Sequence, residues 1–235
     1  MKAVVLAGGK GTRLAPYTKI LPKPMMPIGD MPILEILLRQ MKRAGVDEVI
    51  LTVGHLAKLM RAFFQDGEEY GLPIRYSYEE QPLGTAGPLA LVTGLDDTFL
   101  VMNGDVLTTL DLRKLIEFHR AEGGIATIAM HRRQVKIDLG VIERNDSNDI
   151  TGYIEKPTYD FHVSMGIYVF EPQVLKYIPR DTYFDFPELV LRLLAQKERV
   201  VGYPFDGYWQ DLGRADDYAQ AIQEFDTLRP QILGV

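Results

Sequence analysis

The chain has 235 residues, 46% of them hydrophobic, and its 26 Lys and Arg against 32 Asp and Glu leave a net charge of −6. That length suits one α/β domain with at most a small elaboration, and the acidic balance argues against a broad nucleic-acid or anionic-membrane surface, so an anionic ligand would have to meet a local cationic cluster. The absence of cysteine excludes disulfides, thiolate metal sites and a cysteine nucleophile, which fits a reducing cytoplasm; no apolar run approaches the ~18 residues of a membrane span, and MKAVVLAGG is too short for a signal peptide.

KAVVLA, residues 2–7, is a continuous apolar run and predicts a strand buried on both faces. MPILEILLRQMKRAG predicts a helix opening at Pro32, with Ile33, Ile36, Leu37 and Met41 on one face and Gly45 at its C-terminal cap. VDEVILTVG reads as a strand, AKLMRAFFQDGEEYG as a helix, IRYSYEE as a strand, GPLALVTGL as a short helix and TFLVMNGD as another buried strand. DLRKLIEFHRAEGG follows, with Asp111 as N-cap. This alternation implies a mostly parallel, doubly wound sheet with helices on both faces. From IATIAMHRR through GVIERN, ITGYIEKP and HVSMGIYVF the signals are strands with few helices between, which predicts an antiparallel addition over one end of the sheet. FPELVLRLLAQKE and RADDYAQAIQEFDTL predict two late helices, the last ending near Arg229-Pro230.

Between the first strand and the first helix lies LAGGKGTRL, residues 6–14. Ligands of open α/β sheets bind at the carboxyl ends of the strands, and glycines there let backbone N–H groups approach phosphate oxygens. The phosphate loop ending in GK[ST] is absent, and G-x-G-x-x-G started at Gly9 fails at Leu14. The turn nevertheless carries Lys10 and Arg13, with Lys19 and Lys23 close behind, so four cations gather in an acidic chain and point to a polyphosphate.

The longer run LAGGKGTRLAPYTKILPKPMMPIGDMPIL resembles the signature of the sugar-1-phosphate nucleotidyltransferases, the nucleotide-sugar pyrophosphorylases. The resemblance continues through EEQPLGTAGPL, NGD at 103–105, EKP at 155–157, MGIYVF at 165–170 and YWQDLG at 208–213, so it spans essentially the whole chain. It implies a single domain over residues 1–235 of Rossmann-like three-layer α/β/α architecture, with a mixed central sheet and a small antiparallel sugar-binding portion around 125–205. It also implies the reaction of a nucleoside triphosphate with a sugar-1-phosphate to give a nucleotide-sugar and pyrophosphate, assisted by Mg²⁺.

The resemblance assigns roles by position. Leu6, Ala7, Gly8, Gly9, Gly11 and Thr12 would cradle the nucleotide, and Arg13 would hold the β- and γ-phosphates by parallel bonds. Lys23, in PKP, would contact the α-phosphate and the sugar phosphate, while Asp105 and Asp211 would be the metal carboxylates. Gln81, Gly84 and Thr85 would approach the base. Asn103, Gly140, Glu155, Lys156, Ser164 and Gly166 would line the sugar-phosphate side, Ser164 standing where many members carry Asn or Ala. Lys10 and Lys19 read equally well as solvated surface, and Asp206, Asp216 and Asp217 as solvated charges or caps. The four histidines show no metal-ligand spacing, and Trp209 reads as packing.

The wording EEQPLGTAGPLAL is most similar to mannose-1-phosphate guanylyltransferases, which implies GTP and mannose-1-phosphate or a related hexose phosphate in a cell-surface sugar pathway. Thymidylyl-, uridylyl- and cytidylyltransferases acting on glucose-1-phosphate share the scaffold and remain alternatives. So does a non-catalytic nucleotide-sugar-sensing subunit, though Arg13, Lys23, Asp105 and Asp211 are all present. An NAD-dependent oxidoreductase is disfavoured by the failed glycine fingerprint. Some members carry a C-terminal left-handed β-helix, which this sequence does not include; oligomeric state stays open.

Overall fold

The computed structural model describes residues 1–234. In chain order the strands are β1 (Lys2–Ala7), the short pair β2 (Pro27–Ile28) and β3 (Met31–Pro32), β4 (Glu48–Val53), β5 (Ile74–Tyr78), β6 (Phe99–Asn103), β7 (Val106–Thr108), β8 (Ala126–Lys136), β9 (Val141–Arg144), β10 (Ile150–Ile154), β11 (Thr158–Phe170), β12 (Val200–Phe205) and β13 (Trp209–Asp211). The α-helices are α1 (Ile33–Arg43), α2 (Ala57–Phe64), α3 (Leu112–Glu122), α4 (Phe186–Ala195) and α5 (Ala215–Leu233).

Seven strands form the central sheet in the order β12-β8-β11-β6-β1-β4-β5. Every pair is parallel except the two made by β11, which runs against both β6 and β8, so the sheet is mixed as expected. The chain winds outward from β1 through β4 to β5, then returns to place β6 on the other side of β1. The carboxyl ends of β1 and β6 are therefore a topological switch point, where open sheets bind ligands.

Alternation along the strands divides the core. Val5, Leu51 and Met102 pack with Leu34, Leu37, Met41, Met60, Phe64 and Leu115 of α1, α2 and α3. Their neighbours Val4, Ile50 and Val101 point the other way, against Leu89, Phe186, Leu189 and Leu193. Three layers result, each buried aliphatic side chain contributing about 1.5–3 kcal/mol. A third cluster seats α5 through Ala221, Phe225 and Ile232 on Ile28, Ile33 and Ile36.

The anticipated caps form. Asp111 accepts from the Arg113 N–H at 3.0 Å, and Gly45 (φ +81°) follows the end of α1 in the left-handed region. GPLALVTGL forms only a 3₁₀ stretch, Gly87–Leu91. The last helix departs from expectation, running through Pro230 to Leu233 with Gly234 as its cap. Proline forfeits one helical bond, but Ile232 is fully buried and its carbonyl accepts from Gln40 Nε2 at 3.1 Å, so tertiary contacts carry the helix past the local breaker.

The antiparallel addition is narrower than residues 125–205. The first residues of β8, the last of β11 and all of β12 belong to the central sheet. Beyond His131 and Val163 the β8–β11 pair continues as a two-stranded ribbon, and β9–β10 make a separate hairpin between them in sequence. No helix among the described residues is long and apolar enough to cross a membrane.

Candidate active site

Parallel register aligns the strand ends in a row. Ala7 pairs with Val53, Val53 with Tyr78, and Leu6 with Asn103. The next residues along the carboxyl edge are thus Glu79, Gly54, Gly8 and Gly104, with Asp105 just past them. Leu6 fixes the edge by accepting the Gly104 N–H at 2.9 Å, and a Cβ at Gly104 would stand 2.8 Å from that same carbonyl.

The glycine-rich loop leaves β1 at the buried Ala7 and folds through three 3₁₀ turns, Thr12–Leu14, Tyr17–Lys19 and Lys23–Met25. Gly11 has φ +60° and a Cβ there would meet Thr18 Cγ2 at 2.8 Å. Buried Thr18 braces the loop by donating to the Gly11 carbonyl at 2.7 Å, and His55 Nε2 lies 3.2 Å from the Thr18 carbonyl. Gly9, Lys10, Thr12, Arg13 and Lys19 are exposed, whereas Lys23 is buried.

Asp105 and Asp211 are 106 residues apart in the chain and meet through the β7–β13 ladder. Asp211 pairs with Val106, and the Leu212 N–H donates to the Asp105 carbonyl at 3.0 Å. Lys23 Nζ sits between the two carboxylates, ion-paired with Asp105 and 3.8 Å from Asp211 Oδ1. Gly213 opens the same corner to Arg13: a Cβ there would lie 2.9 Å from Asp211 Oδ1 and 3.0 Å from Arg13 Nη2. Burial and the nearby Asp105 charge push the Asp211 carboxyl up, against the pull of Lys23 and Arg13. The sequence motif named Arg13, Lys23, Asp105 and Asp211; the structure collects them at the switch point.

Two crowded carboxylates with one ammonium between them fit a hard divalent cation. Among the described residues no group of three or more His, Cys, Asp or Glu gathers as a metal cage. Mg²⁺ needs none, because it is held by one or two carboxylates and keeps waters and substrate phosphates as its other ligands.

The loop carrying Gln81, Gly84 and Thr85 is fastened to the start of α4. The Thr85 N–H and Oγ1 both donate to Asp185 Oδ1, at 2.8 and 2.9 Å, and Thr85 Oγ1 accepts the Phe186 N–H at 2.9 Å. Asp185 also caps α4 with Glu188, so Thr85 spends its polar atoms on anchoring. Gly84 has φ +79°, and a Cβ would stand 2.7 Å from the Phe184 carbonyl. Gln81 is exposed at the loop's outer edge. Sequence reasoning passed over Glu79, which is half-buried with Oε2 accepting the Leu83 N–H at 3.2 Å.

The residues expected on the sugar-phosphate side form two groups. Asn103 ends β6 beside Gly166 (φ +70°), where a Cβ would overlap the Asn103 amide. Gly166 lies in the register shift of β11 between Ser164 and Tyr168; Ser164 Oγ accepts its N–H at 3.3 Å and lies 3.1 Å from the Tyr168 hydroxyl. The second group is at the ribbon tip: Tyr153 donates to Glu155 at 3.0 Å, Lys156 Nζ is 3.9 Å from Glu155, and Gly140 packs under the Tyr153 hydroxyl. Lys156 has φ +44°, a conformation non-glycine residues hold at a cost. Among the described contacts, none joins this tip group to Lys23 or the aspartates. Trp209 is packing, its Nε1 donating to the Met165 carbonyl at 3.0 Å, and His119 is buried against Thr127 and Glu171.

A glycine loop at a switch point, with clustered cations and paired carboxylates, is the kind of site at which α/β proteins handle phosphates. The chain matches the family described as Nucleotidyl transferase over residues 2–227, and it belongs to that family. It is 38% identical over 225 residues to mannose-1-phosphate guanylyltransferase of Mycobacterium tuberculosis, covering 93% of this chain and 62% of that one. It is 37% identical over 252 residues to UTP--glucose-1-phosphate uridylyltransferase of Synechocystis sp., covering 95% and 63%. The chain therefore spans less than two thirds of these curated relatives. Among solved structures, HddC from Yersinia pseudotuberculosis aligns with a TM-score of 0.73 at 25% identity over 95% of this chain and 99% of that one.

Proposed function

We propose that the protein is a Mg²⁺-dependent sugar-1-phosphate nucleotidyltransferase that makes a nucleotide-sugar and pyrophosphate, with GTP and mannose-1-phosphate or a related hexose phosphate as substrates. The observation that carries this reading is Lys23 seated between Asp105 and Asp211, beside the glycine loop and Arg13. The guanylyltransferase relative supports the choice of GTP.

In this reaction a phosphate oxygen of the sugar phosphate attacks the α-phosphorus in line. One P–O bond forms, the bond to the β-phosphate breaks, and pyrophosphate leaves with the electron pair. The attacking monoester has its second pKa near ~6, so no general base is required. The protein's work is to hold two polyanions together and to stabilise the leaving charge. Lys23 neutralises phosphate charge by exchanging Asp105 for substrate. Arg13, exposed at the loop, holds the departing pyrophosphate by parallel N–H bonds. Asp105 and Asp211 would hold Mg²⁺, which when bound supplies Lewis-acid stabilisation of phosphoryl oxygens.

Pyrophosphate release with Mg²⁺, across five nucleoside triphosphates and several hexose-1-phosphates, tests the reading. The expected result is one strong cell, GTP with a manno-configured sugar, reduced more than 100-fold in Asp105→Asn and Asp211→Asn. The uridylyltransferase relative supports a second reading, UTP with glucose-1-phosphate, which the same grid resolves. A blank grid from folded protein that binds nucleotide would favour a sensing subunit instead.

A further inference from the structure

Asp211 stands on a strand too short to hold it alone. β13 has three residues and lies in a two-stranded sheet with β7. A ladder of that size is marginal by itself. The Asp105 charge presses against Asp211, while Lys23 Nζ draws it from 3.8 Å. Side chains alternate along a strand, so Trp209 and Asp211 face one way and Tyr208 and Gln210 the other. Trp209 Nε1 donates to the Met165 carbonyl at 3.0 Å. On the opposite face Gln210 Nε2 donates to Asp217 Oδ1 of α5 at 2.9 Å, and both residues are half-buried. Two turns further along that side of α5 lies Glu224, and burial together with Glu224 pushes the Tyr208 hydroxyl up.

Asp217 is the third residue of α5, where a carboxylate ordinarily serves the helix's own N–H groups or its dipole. Here its Oδ1 is spent on β13. The helix that bears it is well anchored: Phe225 and Ile232 are fully buried, and the Tyr218 hydroxyl donates to the Pro27 carbonyl at 2.6 Å, four residues beyond Lys23. Adjacent residues of one helix thus tie down the strand of Asp211 and the segment of Lys23. We propose that Asp217 is a positioning residue, which through Gln210 fixes β13 so that Asp211 stays facing Lys23 and Asp105. This rests on the nucleotidyltransferase reading for what those three groups do to substrate. Asp217 itself touches no substrate. It restrains a carboxylate whose displacement by about 1 Å would cost about 100-fold in turnover. The glycine-rich loop is left as it is, so the loss falls on kcat rather than on KM for the triphosphate.

The test measures kcat and KM for wild type, Asp217→Ala, Asp217→Asn and Gln210→Ala, well below their melting temperatures, together with the emission of Trp209, the chain's single tryptophan. Asparagine keeps an acceptor oxygen for Gln210 and loses the charge; alanine loses both. Asp217→Ala and Gln210→Ala should each lose about 10- to 100-fold in kcat with KM for the triphosphate close to wild type. Their Trp209 emission should shift to the red as the ring leaves the Met165 carbonyl. Asp217→Asn should stay within about 3-fold of wild type in kcat, with unshifted emission. The double variant of Asp217→Ala and Gln210→Ala should lose no more than either alone. Equal losses in Asp217→Asn and Asp217→Ala would overturn the assignment, since a helix-dipole role follows the charge. Unshifted emission or full kcat in Asp217→Ala would overturn it too. Should Asp217→Ala fail to fold, Gln210→Ala, which leaves α5 untouched, carries the same comparison. If no substrate pair turns over in wild type, emission decides alone: a red shift in the alanine variants that Asp217→Asn lacks upholds the tether while the transferase reading falls.

Discussion

Replacing Lys23 by Met keeps the length of the side chain and removes its charge. The Lys23 side chain is 10% exposed, Asp105 21% and Asp211 50%, so the ammonium is nearly dry while the carboxylates keep part of their water. Removing one partner of a fully buried pair costs about 3–5 kcal/mol. The residual hydration of the two acids reduces this to about 2–3 kcal/mol, because water screens the orphaned charges. At roughly 2–4 °C per kcal/mol for a chain of this size, the melting temperature should fall by about 4–12 °C. Millimolar Mg²⁺ should recover more of that loss in Lys23→Met than it adds to wild type, since the carboxylates are then left with Arg13 alone as counter-charge. Calorimetry with and without Mg²⁺ measures both effects. An unchanged melting temperature, or equal Mg²⁺ stabilisation of both proteins, would refute the view that Lys23 compensates the two aspartates.

Gly166→Ala forces a Cβ into the left-handed region and onto the Asn103 amide, which should cost about 1–2 kcal/mol and raise KM for the sugar phosphate more than for the triphosphate; equal KM values would dissociate Gly166 from that side. Asp185→Ala removes the α4 cap and both Thr85 bonds, an expected loss of about 1–2 kcal/mol by urea unfolding at pH 7. Burial raises the Asp185 carboxyl, but the bonds from Tyr183 and Thr85 outweigh it and hold the group below its usual 3.8. The stabilisation is therefore complete above that value and should fade as pH falls through the lowered one. Pro230→Ala restores a helical N–H inside α5 and should raise the melting temperature by a few degrees, about 1 kcal/mol; a fall would mean that the ring packs in a way alanine cannot replace.

Local physics was readable in the sequence. The apolar run of β1, the face of α1 and the Asp111 cap depend on neighbours within a few residues. The glycine-rich cationic turn showed itself for the same reason. Pairings across the chain were not readable from local pattern. That Asp105 meets Asp211 depends on the β7–β13 ladder, and only the motif resemblance anticipated it. The bond between Thr85 and Asp185 spans 100 residues, so the anchoring of this loop to α4 could not be seen in local pattern. Pro230 misled because a local rule was overridden by Gln40, a buried polar residue whose partners Thr108 and Ile232 lie far away in sequence. Glu79 was hidden by its twin, since adjacent strand-end residues point oppositely and the letters do not say which one faces in.

The reversed strand β11 has 13 residues, buried from Met165 onward and exposed before it apart from the half-buried Val163. It is a cantilever: one half is clamped between β6 and β8, and the other carries the ribbon about 20 Å clear of the sheet. The bulge around Gly166 is its root. A small change of twist there would swing the far tip through a large arc while leaving the row of strand ends still. Residues at the tip can therefore diverge separately from the strand ends that carry Lys23, Asp105 and Asp211.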